Sequence, residues 1–108
     1  MTRTYTPDCW RVIEFDYGTD EPPLRKVFAG WYGGYANGDS WKLSSGITKT
    51  HEFEDRYEFE NYSGSTYVCF KPIERMSGYM MQVYSSFERE VEESPDVTMK
   101  IIEYRNKK

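Results

Sequence analysis

Apolar and polar side chains alternate with a period of two through most of the chain up to Phe70, then switch to the period of a helix. Residues 9–17, Cys-Trp-Arg-Val-Ile-Glu-Phe-Asp-Tyr, are rich in β-formers and predict a strand. They end at Gly18-Thr19-Asp20-Glu21-Pro22-Pro23, where two prolines remove backbone donors and fix φ, so the chain must turn. Leu24 to Tyr32 resumes as a strand, which makes the first unit a hairpin with a long loop. Gly33 to Ser40 is the most loop-like segment, with three glycines and an Asn-Gly pair. Trp41, Leu43, Ser45 and Ile47 then alternate against Lys42, Ser44 and Thr48, predicting a strand that bends at Gly46 and runs on to Phe53. Tyr57 and Phe59 alternate with Arg56, Glu58 and Glu60, and Tyr67 to Phe70 follows as a short buried strand after the turn at 61–65.

Beyond Gly78, the residues Met80, Val83, Tyr84, Phe87 and Val91 form one helical stripe, with Ser77 placed to cap it and Ser94-Pro95-Asp96 to stop it. A strand over 79–84 is the competing reading, because Tyr, Val and Met also suit a sheet. Val97 to Tyr104 predicts a last strand. The pattern gives an α+β fold: one small antiparallel β-meander of about five to six strands with one helix near the C-terminus. Residues 1–108 form a single β-rich domain, with 1–8 and 105–108 as loose tails.

Composition changes this picture in one respect. Leu, Ile, Val and Phe together number 19, too few for an aliphatic core, but ten Tyr, three Trp and five Met can build one from rings. Rings with a polar tip are equally at home half-buried at a contact surface, so some of them are candidates for recognition. The net charge of −4 argues against a double-stranded DNA binder, which needs a basic footprint to displace counterions. The N-terminus has no apolar signal region, no stretch approaches a membrane span, and Cys9 and Cys69 lack a disulfide-framework spacing. The reading is a cytoplasmic protein with reduced, buried thiols and no membrane partner.

Candidate chemistry is sparse. His51 is the one histidine, so a zinc-protease pair of histidines four residues apart cannot form. A dyad of His51 with Cys9 or Cys69 is conceivable, but neither cysteine sits in a nucleophile signature. No metal-ligand spacing, P-loop or other cofactor motif is present, so neither cofactor nor enzymatic activity is expected.

Charge is distributed unevenly, and this defines two candidate surfaces. Residues 52–60 carry Glu52, Glu54, Asp55, Glu58 and Glu60 against Arg56 alone; with Tyr62 they form an acidic, aromatic stripe suited to the basic groove of another protein. The Glu-rich run 88–93 extends that character. Residues 24–50 carry Arg25, Lys26, Lys42 and Lys49 against Asp39 alone. Within them the loop 30–42 combines Trp31, Tyr32, Gly33, Gly34, Tyr35, Trp41 and Lys42: amides and a cation for phosphate, rings for a base. Such a loop could trap a small nucleotide-like ligand, at a homodimer interface if the chain pairs, or could simply be a hairpin turn. Single-stranded nucleic acid held by Trp31, Tyr35 and Trp41 ranks last, on net charge.

Gly38-Asp39-Ser40-Trp41-Lys42-Leu43-Ser44-Ser45-Gly46-Ile47 and Tyr62-Ser63-Gly64-Ser65-Thr66-Tyr67-Val68-Cys69 resemble segments of small proteins encoded by tailed bacteriophages. The resemblance spans roughly the middle third of the chain and rests on strand and turn residues. It implies an accessory, anti-defence setting in a host cytosol, where such proteins block a host protein or trap a nucleotide signal; it supplies no site residues. The leading expectation is a non-enzymatic inhibitor that binds a host protein through residues 52–62, and the alternative is a nucleotide-like ligand bound at 30–42.

Overall fold

The structure, a computed structural model, describes residues 3–34 and 38–104. The strands are β1 (Thr4–Tyr5), β2 (Cys9–Asp16), β3 (Leu24–Gly34), β4 (Gly38–Leu43), β5 (Ile47–Glu52), β6 (Arg56–Asn61), β7 (Thr66–Phe70) and β8 (Thr98–Ile102). A short 3-10 turn (Lys71–Ile73) and the helix α1 (Gly78–Glu92) separate the last two strands. The fold is α+β, but the expected single meander is two four-stranded sheets, ordered β1-β7-β6-β5 and β4-β3-β2-β8. All pairings are antiparallel except β1 on β7.

β2 explains the layering. Its residues are buried on both faces: Cys9, Trp10, Val12, Ile13 and Phe15 are all below a tenth exposed. A strand with one solvated face would alternate apolar and polar, and β2 does not. On one face Trp10 and Val12, with Val27 and Ala29 of β3, pack against Tyr57, Phe59, Tyr67 and Cys69 of β6 and β7. On the other, Cys9, Ile13, Phe15 and Phe28 meet Met80, Val83, Tyr84 and Phe87 of α1. The layers are therefore sheet, sheet and helix, with the β2–β3 sheet in the middle. Gly30 makes room for the helix, since a Cβ there would run into Met80 Sδ.

The helix forms where its stripe predicts, and the strand reading of 79–84 is displaced. Ser77 Oγ accepts the Met80 N–H at 3.1 Å, a side-chain cap at the helix start. The expected strand from Trp41 through Gly46 to Phe53 divides instead. Ser44-Ser45-Gly46 carries the chain from one sheet to the other, so β4 and β5 are edge strands of different sheets. Period-two alternation states which side chains point inward but not which strand is the neighbour, so a change of sheet looks like a bend. The N-terminal tail is also corrected: Thr4 and Tyr5 pair with Thr66 and Tyr67, and Pro7 is buried. Two paired residues leave little sequence signal, but Tyr5 stacks on Tyr67 with centroids 4.9 Å apart. The expected loose end 105–108 lies outside the described residues.

Trp10 joins the two sheets. Its ring packs on Phe59, Tyr57 and Tyr104 with centroids about 6 Å apart, and its indole N–H donates to the Phe70 carbonyl at 2.7 Å. Trp10→Ala should therefore cost about 3–5 kcal/mol of stability, measured by urea unfolding, through a large cavity and an orphaned carbonyl.

Candidate functional site

The carboxylate stripe is brought together, and Arg56 and Lys71 offset part of its charge. Glu58 and Asp55 both accept from Arg56 at 2.8 Å, Glu60 meets His51 at 2.6 Å, and Glu52 takes the Lys71 ammonium at 2.9 Å. Glu58 and Glu60 lie on the outer face of β6, opposite His51 and Lys49 of β5. Glu54 is exposed in the β5–β6 turn. Tyr62, 71% exposed, stands apart from the stripe, its ring beside Gly46 and Leu24. The stripe therefore offers a mixed rather than a purely acidic face.

The 30–42 set does not converge. Gly30 pairs with Trp41 and Trp31 with Ser40, so the two indoles leave opposite faces of the sheet. Trp31 packs near Tyr5 against the inter-sheet core, whereas Trp41 packs on Phe28 and Phe87 beneath the helix. The amides intended for phosphate are already occupied: Tyr32 N–H donates to Asp8 Oδ2 and Gly33 N–H to Asp39 Oδ1, each at 2.9 Å. Gly34 ends β3, and Tyr35 lies outside the described residues. Lys42 turns toward Tyr5, its ammonium 5.3 Å from the ring centroid.

Two other hollows gather rings and cations instead, one on either side of the 44–46 crossover. The larger, of about 650 Å³, is a tyrosine cleft lined by Tyr17, Tyr62 and Tyr104, by Arg25 and Lys49, and by Thr48, Thr50 and the Pro22-Pro23 loop. It opens where the inter-sheet core changes from apolar to charged, beyond Val12 and Val27, at Glu14 and Arg25. Arg25 Nε donates to Glu14 Oε2 at 3.0 Å, and Lys100 approaches the other oxygen at 3.6 Å. Partial burial works against the Arg25 charge, but Glu14 and the Tyr104 hydroxyl outweigh it and raise its pKa. Desolvation raises that of Tyr104 despite the nearby Arg25, so its hydroxyl stays protonated.

The second hollow, of about 510 Å³, is a serine cleft lined by Arg3, Lys26 and Lys42, Ser44, Ser45, Ser63 and Ser65, with Tyr5, Tyr67 and Leu43. The two runs that carry the bacteriophage resemblance, 38–47 and 62–69, meet along it. Gly46 lies in sequence between Ser45, which lines the serine cleft, and Ile47, which lines the tyrosine cleft. Its φ of 143° disfavours a side chain, and a Cβ would lie 2.7 Å from Leu24 Cδ1 and 2.9 Å from Tyr62 Cδ2.

Sequence reasoning missed Arg3, Tyr5, Tyr17, Tyr104 and the four serines as site candidates. The basic run 24–50 was the available signal, and it divides: Arg25 and Lys49 go to one cleft, Lys26 and Lys42 to the other. No cysteine joins His51, because Cys69 pairs with inward-facing Tyr57 whereas His51 pairs with outward-facing Glu58, on the opposite face of the same sheet. Burial also pushes the Cys69 thiol well above its ordinary pKa, which disfavours a thiolate. Among the described residues no group of three or more His, Cys, Asp or Glu is placed to hold a metal ion, and no helix is long and apolar enough to cross a membrane. Comparison with protein-family models, curated proteins and solved structures returns no match.

Tyr67, at the floor of the serine cleft, is 2% exposed, and burial pushes its pKa up to about 12. The folded chain then holds this proton more tightly than the unfolded chain, whose tyrosines titrate near 10. Its contribution is fully present below pH about 10 and is lost as pH rises toward 12. The urea midpoint should fall over that interval, and Tyr67→Phe should make the fall shallower, as followed by tryptophan fluorescence.

Proposed function

We propose that this chain is a non-catalytic binding protein that sequesters a small ligand with a flat ring and an anionic group, of which a nucleotide is the type, in the tyrosine cleft. The observation that carries this reading is that Tyr17, Tyr62 and Tyr104 line one hollow together with Arg25 and Lys49, with Glu21 at its rim. Its volume of about 650 Å³ falls in the range of small-molecule sites, ~300–1,000 Å³. Tyr62 offers an exposed ring face for stacking, Tyr104 a partly buried ring with a protonated hydroxyl, and Thr48 and Thr50 further hydroxyls. Arg25 is fixed in advance by Glu14, so ordering it on binding costs little side-chain entropy. In the phage setting that the resemblance implies, the chain would act by trapping a nucleotide signal. This relocates the ligand reading from the 30–42 loop to the opposite side of the crossover.

Calorimetry with a panel of mononucleotides, cyclic nucleotides and ADP-ribose tests it. Saturable binding should weaken about fivefold to a hundredfold in Tyr62→Ala, since one stacked base is worth ~1–3 kcal/mol, and should weaken severalfold in Lys49→Gln through loss of a cation. Silence across the panel, or binding indifferent to both substitutions, rejects it.

A second reading, a host protein docked on the carboxylate face, has one observation in its favour. No described sheet or helix covers the outer face of β5 and β6, and Phe53 stands 42% exposed at its end among Glu52, Glu54 and Asp55. Glu58→Lys with Glu60→Lys should then abolish capture of that partner in a pull-down. Undiminished capture counts against this face.

A further inference from the structure

We propose that the serine cleft is a second ligand site, one that takes the phosphoryl group of a small molecule. It does not depend on what the tyrosine cleft holds. Three cations, Arg3, Lys26 and Lys42, line this hollow and no carboxylate does, on a chain whose net charge is −4. Elsewhere Arg11, Arg25, Arg56, Lys71 and Lys100 each have a carboxylate oxygen at 3.6 Å or closer. Arg3, Lys26 and Lys42 have no such partner among the described residues. Arg3 and Lys42 share the hollow without an acid, with Lys26 at its margin, and an anion relieves the repulsion between like charges.

The hydroxyls make an independent argument. Ser44, 3% exposed, accepts the Val27 N–H at 2.8 Å, and Ser45 accepts the Ser63 N–H at 3.0 Å. Each spends a lone pair on the backbone, and its O–H finds no acceptor among the described residues. Ser63 and Ser65 share one hydrogen bond at 3.1 Å, which leaves one further hydroxyl hydrogen to donate. Of these hydroxyls Ser44 is the buried one, and a buried O–H without an acceptor is costly, so it favours an acceptor placed in the cleft; those of Ser45, Ser63 and Ser65 are more open and add further donors. Lys42 is held over Tyr5, which in turn stacks on Tyr67, so this ammonium is positioned by the fold. The ammonium of Lys26 is directed toward Phe15, 5.9 Å from its centroid, and this residue forms the margin of the hollow. Donors reach the cleft from the N-terminal segment, from β4 and its crossover, and from the 61–65 turn. A phosphoryl group, with three acceptor oxygens and close to two charges, matches that spread better than a flat carboxylate with two.

The test is calorimetry at fixed ionic strength in chloride with two base-free probes, inorganic phosphate and glycerol 3-phosphate, so that the tyrosine cleft is not engaged. At least one probe should bind saturably; which one distinguishes free phosphate from a phosphomonoester as the source. Arg3→Gln with Lys42→Gln should weaken binding tenfold or more, and Ser63→Ala with Ser65→Ala severalfold. The exposed Arg75→Gln should leave it unchanged. If neither probe binds, or Arg75→Gln weakens binding as much as the double charge variant, the proposal fails. Phosphate binding that survives Tyr62→Ala supports a site separate from the tyrosine cleft, and phosphate binding lost in that variant overturns it.

Discussion

Everything in this fold follows from burying both faces of β2. Eight residues, Cys9 to Asp16, are required to satisfy a sheet on one side and a helix on the other. A chain with so few aliphatic residues meets that demand with rings. Trp10, Tyr57, Phe59 and Tyr104 fill the inter-sheet space, while Phe28 and Phe87 fill the space under the helix. Rings carry polar tips, and those tips need outlets. Trp10 finds the Phe70 carbonyl, Tyr57 approaches Glu52, and Tyr104 reaches Arg25. The aromatic core and the polar clefts at its margins are two ends of the same side chains.

The crossover at Ser44-Ser45-Gly46 converts that architecture into two hollows. By moving the chain from the middle sheet to the outer one, it leaves Lys42 at one hollow and Lys49 at the other, while Arg25 and Lys26 part as consecutive residues of β3. Cations in the remainder of the structure are mostly committed to carboxylates, and such exposed pairs contribute little to stability, ~0–1 kcal/mol each. They do, however, offset part of the charge of the stripe at 52–60, whose five carboxylates still outnumber Arg56 and Lys71. The serine cleft is therefore a cationic, concave patch on a chain that is acidic as a whole.

Much of the local structure could be read from the sequence, because local structure is what periodicity encodes. The 9–17 and 24–32 hairpin, the short strands at 56–61 and 66–70, and the helix with its Ser77 cap all follow from alternation, prolines and capping chemistry. Partnering was not readable. A strand bending at Gly46 and a strand ending there carry the same pattern, so two sheets were read as one. The candidate residues separated for the same reason. Trp31 and Trp41 flank one loop in sequence, yet neighbouring positions on paired strands place them on opposite faces. Glu58 and Glu60 did come together, but their partners, Arg56 within the same strand for Glu58 and the His51 ring across the ladder for Glu60, are set by strand register. Sites assembled from distant turns, such as Ser44 and Ser45 with Ser63 and Ser65, leave only ordinary turn residues in the sequence.

The central claim is that recognition lies in the clefts beside the crossover and not on the carboxylate face. Backbone amide chemical shifts recorded during titration with a purine mononucleotide address it residue by residue. The account predicts perturbations concentrated at residues 17–26, 42–50 and 62–67, with 54–58 and the helix unmoved. Perturbations confined to the 52–60 strip, or a spectrum that does not change at all, would contradict it.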